Sequence, residues 1–304
     1  MRIAIVGLGN IAQKAYLPVV TALADIELGF CTRNESTLTW LSEMYRVTET
    51  VTTIDELLAK RVDAAFVHTA TGSHGEVAGQ LLQNGIHVYL DKPLAYNYEE
   101  SRKLVELAEQ TGRMLMVGFN RRFAPMYERL KEVSERRLVI MQKNRTYLPE
   151  VARRLVFDDF IHVVDTLRYL APAEIQDVRV STFKKAGQLH HVVLQLDGAG
   201  FTCIGLMNRD NGITEETLEV MSPSNKWAVR GLTNTVHYHG GEERTYYFND
   251  WEPVLYRRGF NGIVSHFLNC VRRGIAPSLS ARDSLATHEL CERIVIDIEQ
   301  NASS

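Results

Sequence analysis

Short runs of apolar, often β-branched residues recur through residues 2 to 118, each followed by a stretch whose apolar positions return at helical spacing. The strand candidates are Arg2 to Val6, Glu27 to Cys31, a weak one near Thr48, Asp63 to His68, His87 to Leu90 and Met114 to Gly118. Strands that are apolar on both faces and separated by helices predict a parallel sheet covered on both sides, because parallel neighbours need crossover connections. A doubly wound α/β domain over residues 1 to 119 is therefore expected.

Beyond Gly118 the pattern changes. A helix from about Pro125 to Ser134 leads to a strand, Leu138 to Arg145, and a second helix from about Phe157 to Leu170. Strands then follow in succession: Val178 to Lys184, His190 to Asp197, Gly200 to Met207, Glu216 to Met221, Trp227 to Gly231 and Arg244 to Phe248. Turn residues such as Asp197-Gly198, Ser222-Pro223 and Gly240-Gly241 separate them, which predicts an antiparallel sheet. Two helices, Phe260 to Arg273 and Ala281 to Gln300, close the pattern, so residues 120 to 304 read as an α+β domain with its helices on one face of the sheet.

Composition changes this picture little. In 304 residues, 45% are apolar and 23% charged, as in ordinary globular proteins. With 34 basic against 37 acidic residues the net charge is −3, a poor basis for gripping nucleic acid. Cys31, Cys203, Cys270 and Cys291 form no C-x-x-C pair, so they read as reduced thiols, and no metal site is expected. No apolar stretch is long enough for a membrane helix, and Gly7 and Gly9 interrupt the apolar start too early for a signal peptide; the expected location is the cytoplasm.

The segment Gly7-Leu8-Gly9-Asn10-Ile11-Ala12 fits G-x-G-x-x-G/A between the first strand and a helix pattern, Gln13 to Leu23. Its first glycine permits a tight turn, its second lets a pyrophosphate approach the backbone, and the small third residue lets helix and strand pack. Gly7, Gly9, Asn10 and Ile11 are thus candidates for a dinucleotide. A carboxylate that would bond the ribose hydroxyls is missing after the second strand, which continues Cys31-Thr32-Arg33-Asn34. Thr32 and Arg33 would instead receive a 2′-phosphate, favouring NADP over NAD; the alternative for Arg33 is a solvated helix-start residue.

Asp91-Lys92-Pro93 follows the fifth strand at the carboxyl edge, where open α/β sheets bind ligands. The proline restricts Lys92 to extended backbone, and a desolvated amine there would have a lowered pKa and could exchange a proton with a substrate hydroxyl. Asp158, His162 and Asp165 fall at i, i+4 and i+7 on one helical stripe. That stripe is either a solvent-facing polar face or one wall of a cleft in which Asp158 orients and His162 shares proton transfer. Asn120 and Arg122, within Gly118-Phe119-Asn120-Arg121-Arg122-Phe123, either meet a substrate or belong to a connector. Arg257-Arg258 and Arg272-Arg273 read as solvated charges without a function.

With these pieces in order, the chain resembles the Gfo/Idh/MocA oxidoreductases over essentially its whole length, and within that family the virulence factor MviM group. The matching segments are Gly7 to Ala15, Thr69 to His74, Asp91-Lys92-Pro93, Val117 to Pro125 and the helix bearing Asp158, His162 and Asp165. The resemblance implies a Rossmann domain followed by a domain with an open, mostly antiparallel sheet that serves as a homodimer or homotetramer interface. It implies cofactor contacts for Thr69, Ala70, Thr71, His74, Asp91 and Lys92, and catalytic roles for Lys92, Asp158 and His162. The implied reaction is NAD(P)-dependent hydride transfer with a secondary alcohol of a sugar, inositol or related polyol. Alternatives are a nucleotide-binding regulator without turnover and NAD(P)-assisted glycoside cleavage. Asp91 replaces the family's usual glutamate, and Phe160 stands where glycine is common, which should narrow the cleft.

Overall fold

A computed structural model describes residues 1 to 300. It divides into two compact units, Met1–Phe119 with Phe260–His288, and Asn120–Gly259 with the segment from Glu289 onward.

The first unit is built on six parallel strands, β1 (Arg2–Val6), β2 (Glu27–Cys31), β3 (Glu49–Val51), β4 (Ala64–Val67), β5 (His87–Leu90) and β6 (Leu115–Val117). Their spatial order is β3-β2-β1-β4-β5-β6. Central β4 is buried along its whole length, as its uninterrupted apolar sequence requires. Winding reverses direction between β1 and β4, so the turns after these strands flank a switch point, where such sheets open a crevice for ligands. The first helix runs from 10 to 20, three residues short of the expected end, and contains a wide π-helical turn, Ala12–Tyr16.

Helix Phe260–Arg273 corrects the expectation that the last two helices cover the second sheet. Its buried face includes Phe260, Ile263, Val264, Phe267 and Leu268. Phe267 meets the rings of Phe66 and Tyr89 edge-on at 5.3 and 5.6 Å, and Phe260 meets Tyr16 at 5.3 Å. Those aromatic contacts draw Phe260–His288 into the first unit, whereas the sequence reading assigned all of 120 to 304 to the second.

The second unit carries β7 (Leu138–Asn144), β8 (Ile175–Lys185), β9 (Gln188–Gly198), β10 (Phe201–Asn208), β11 (Glu215–Ser222), β12 (Asn225–Arg230), β13 (Asn234–His239) and β14 (Glu242–Tyr247). They form one sheet in the order β14-β13-β12-β11-β7-β10-β9-β8. Every pairing is antiparallel except β7 with β10. Strand β13 escaped the sequence reading because Asn, Thr and His dominate it and few of its residues are buried. Helix Ile161–Leu170 lies close against β10: a Cβ at Gly205 would come within 2.5 Å of Val163 and 2.8 Å of Leu167, so a larger residue there would lift the helix.

Candidate functional site

The turn after β1 is fixed by its neighbours. Gly7 has φ +86°, and a Cβ there would lie 2.8 Å from the backbone nitrogen of Thr69. Only glycine combines that conformation with so close an approach to the turn after β4. Around Gly9 the opposite holds: a Cβ would meet nothing within 4 Å, so the backbone is open to an approaching group. Asn10 and Ile11 start the helix there, exposed, and their first-turn N–H groups have no acceptor within the helix. At the tip of β4, Thr69 Oγ1 and both ring nitrogens of His68 are buried without a hydrogen-bond partner among the described residues. An open backbone approach, free helix N–H groups and an orphaned buried hydroxyl suit a dinucleotide pyrophosphate.

Strand β2 ends at Cys31, which leaves Thr32 half-buried and Arg33 exposed just past its tip. Asn34 Oδ1 accepts the Thr37 N–H at 3.0 Å and caps helix Glu35–Tyr45. Ala70 is exposed and Thr71 half-buried as they follow β4.

His74 departs from expectation. Its ring is buried, with Nδ1 2.8 Å from the Pro93 carbonyl and Nε2 3.1 Å from the Thr69 carbonyl, so neither nitrogen is left for a cofactor. Burial holds its pKa below the ordinary range although both carbonyls favour protonation. Nearby, Leu94 N–H donates to His288 Nε2 at 2.8 Å, while His288 Nδ1 faces the Ser284 carbonyl at 2.8 Å. Two buried imidazoles thus pin the loop that carries Lys92, whose peptide bond to Pro93 is cis. Nothing in the local sequence pointed to His288; its partner lies 194 residues away.

Asp91 also turns toward its own loop. Oδ1 accepts the Lys92 N–H at 2.9 Å, and Oδ2 stands 4.0 Å from His68 Nδ1. Burial raises the carboxyl pKa, and neighbouring Lys92 offsets part of that rise. Beside it Tyr16 and Tyr89 share a hydrogen bond of 2.9 Å, and a Cβ at Gly118 would meet both hydroxyls at 3.0 Å and Asp91 at 3.2 Å. His68 stacks on Tyr16 at 4.0 Å; burial and then His74 push its pKa down to about 3, so it is neutral at physiological pH.

In the second unit, the expected stripe splits. Val156–Phe160 forms a wide π-helical turn, and this extra residue per turn rotates Asp158 out of line. His162 and Asp165 are buried at 7% and 1% exposure, while the side chain of Asp158 is 40% exposed, 3.7 Å from Arg154. Asp165 receives Arg122 through two bonds of 2.7 and 2.9 Å. Arg122, expected to position substrate, therefore spends Nε and Nη2 on a buried pair. Asn120 is likewise engaged: Nδ2 donates to the Arg258 carbonyl at 2.7 Å, and Oδ1 accepts from Arg121 at 3.0 Å.

The sequence reading gave no role to Asp159 or Glu216 and named Arg121 only as part of the Gly118 to Phe123 segment. Arg121 Nη1 lies 3.4 Å from His162 Nε2, and since a guanidinium only donates, the ring nitrogen is the accepting side of that contact. Arg121 also forks onto Glu216 at 3.0 and 3.3 Å, and Tyr127 donates to the same carboxylate at 3.2 Å. Burial pushes the Glu216 pKa up, but Arg121, Lys143 and Arg258 together pull it down to about 2. Asp159 collects Lys143, Arg145 and Arg209. Arg258, read from sequence as a solvated charge, is held below the usual guanidinium range by burial and by Arg121.

Comparison with known proteins places these features. Residues 1–119 match the model of the Gfo/Idh/MocA oxidoreductase family with its NAD-binding Rossmann fold, and 125–239 match the YceM-like C-terminal domain. The chain is 33% identical to the "Putative oxidoreductase YceM" of Salmonella typhimurium over 97% of both sequences. A Gfo/Idh/MocA family oxidoreductase from Vibrio cholerae superposes with a TM-score of 0.95 at 34% identity, covering all of both chains. The dehydrogenase MviM of Clostridium difficile gives 0.93 at 32%, covering 98% of this chain and 99% of that one. A myo-inositol 2-dehydrogenase of Thermotoga maritima is 24% identical over 93% of this chain and 92% of its own length.

Proposed function

Because the chain belongs to the Gfo/Idh/MocA family of nicotinamide-dependent oxidoreductases, we propose that it oxidises or reduces a secondary alcohol carbon of a sugar, inositol or related polyol, with NADP preferred over NAD. When bound, the nicotinamide supplies the hydride acceptor or donor. The turn of Gly7, Gly9, Asn10 and Ile11, with Thr69, Ala70 and Thr71, holds the dinucleotide, and Thr32 with Arg33 receives the 2′-phosphate. Lys92 takes or returns the hydroxyl proton, His162 shares that transfer, and Asp158 orients the reacting groups. Asn120 and Arg122 act by fixing Arg121 and the His162 helix.

The observation that carries the reading is the Lys92 loop: it follows β5 at the carboxyl end of the sheet that also bears the Gly7 turn, and His74 and His288 fix its backbone at Pro93 and Leu94. Rigid placement is what proton transfer in a single geometry demands. Lys92→Ala should keep nucleotide affinity and lose turnover by a factor of about 100 or more, the scale of general acid–base catalysis. Turnover within a few-fold of the native enzyme would reject the role.

The subunits associate through the face of the second sheet that bears Ile140, Ile204, Leu206 and Val193, apolar side chains left half-buried in the single chain. Sedimentation as a monomer at working concentrations would reject this. No helix among the described residues is long and apolar enough to cross a membrane.

A further inference from the structure

His68 stands one residue beyond β4 with its side chain at 0% exposure, and neither ring nitrogen has a hydrogen-bond partner among the described residues. Aromatic neighbours clamp the ring. It stacks on Tyr16 with centroids 4.0 Å apart, and the rings of Phe66 and Tyr89 both lie at 6.3 Å. Tyr16 ends the wide π-helical turn Ala12–Tyr16, and its hydroxyl is tied to Tyr89 at 2.9 Å. An imidazole held this firmly, with both polar atoms unmet, is costly in a dry interior unless one of them serves a neighbour.

That neighbour is Asp91. Its Oδ2 lies 4.0 Å from His68 Nδ1, about 1 Å longer than a hydrogen bond, and its Oδ1 accepts the Lys92 N–H at 2.9 Å. One carboxylate thus stands between the imidazole and the backbone of Lys92. His74, which also acts on the Asp91 charge, has both of its ring nitrogens at the Pro93 and Thr69 carbonyls. Without a proton on His68 Nδ1, a ring lone pair would face a carboxylate oxygen; with it, a donor faces an acceptor. The ring is fixed by its stack, whereas Asp91 keeps 14% of its side chain open, so the carboxylate is the group with room to turn and close the gap.

We propose that His68 is a positioning residue: its Nδ1–H donates to Asp91 Oδ2, and the carboxylate held in this way fixes the backbone of Lys92 for proton transfer. The effect on turnover rests on the reading of Lys92 as the acid–base group; the effect on the loop stands apart from it.

Two substitutions separate this role from packing. His68→Phe keeps the ring stack and removes both nitrogens, whereas His68→Asn gives up the stack and sets an amide N–H where Nδ1 stands. Hydrogen exchange at the Lys92 N–H, measured on the full-length protein, should quicken about tenfold or more in His68→Phe, the scale of one lost hydrogen bond to a charged group. In His68→Asn it should return most of the way to the native rate. Nucleotide affinity should be unchanged in both, and kcat on a sugar or polyol substrate should fall in the same order at unchanged KM. Exchange at Lys92 unmoved in His68→Phe overturns the proposal. Faster exchange in His68→Asn than in His68→Phe also overturns it, because that is the order packing alone dictates. The expected order of exchange with kcat unmoved supports the hydrogen bond and rejects Lys92 as the acid–base group. Should either variant fail to fold, magnetic resonance of the native protein, isotope-labelled in its histidine rings, decides: a proton on His68 Nδ1 supports the proposal, and a proton on Nε2 alone overturns it.

Discussion

At the tip of β4 in the first unit the polar side chains are neutral and unsatisfied: the His68 ring nitrogens and the Thr69 hydroxyl have no hydrogen-bond partner among the described residues, and Gly9 lies open. In the second unit the polar groups are charged and already bonded to one another, Arg122 to Asp165, Arg121 to Glu216 and three cations to Asp159. The contrast follows from what each must hold. A dinucleotide brings its own charge, and backbone N–H groups with neutral side chains receive it without a cluster of like charges to stabilise beforehand. Recognition in the second unit depends on where a few side chains point, and ion pairs fix those directions at the expense of desolvating both partners.

Breaking a charged pair should have the largest effect on stability. Arg122→Ala leaves Asp165 buried and uncompensated and should remove about 3 to 5 kcal/mol in denaturant unfolding. A loss below about 1 kcal/mol would put the pair among dispensable surface bridges and erase the contrast.

Acid should separate the two regions next. His68 has its pKa lowered from 6.5 to about 3, so between those values the unfolded chain holds a proton that the folded one lacks. Stability therefore declines as pH falls below about 6.5, by up to about 1.4 kcal/mol per unit. Glu216, lowered from 4.5 to about 2, contributes stability that is fully present above about pH 4.5 and is lost only as pH falls toward 2. His68→Phe keeps the ring against Tyr16 and should reduce the slope in the upper window, to which His74, also lowered by burial, contributes the remainder; an unchanged slope there would remove His68 as a cause.

Gly7→Ala should follow, at about 1 to 3 kcal/mol of strain, together with loss of most of the thermal shift given by nucleotide. Normal nucleotide affinity in that variant would mean that the turn is not the binding element. The smallest effect is expected at Arg33: Arg33→Ala should weaken NADP about tenfold and leave NAD nearly unchanged. Equal losses for both nucleotides would withdraw the preference for NADP.

Much of the first unit was legible in the sequence because its signals are local. Strands β1, β2 and β5 end where their apolar runs end, and Gly7 announces its turn by residue type. The second unit hid more. Arg121 and Glu216 are 95 residues apart, so their pairing belongs to the tertiary structure and to no stretch of chain. Asp158 and Asp159 exchange surroundings because a π-helical turn breaks the 3.6-residue period on which the stripe was read. His74 shows a third limit: its position beside the strand tip was right, yet the carbonyls of Pro93 and Thr69 take both nitrogens.

The central claim is hydride transfer governed by Lys92, and isotope transfer tests it most directly. Sugars, polyols and their acids deuterated at the carbinol carbon would be incubated with native enzyme and Lys92→Ala in the presence of NADP. Deuterium arriving on the nicotinamide ring with the native enzyme, and at a rate lower by about 100-fold or more with a variant that still binds nucleotide, is the predicted result. Equal transfer by both proteins, or oxidised product formed with no label on the nucleotide, would contradict it.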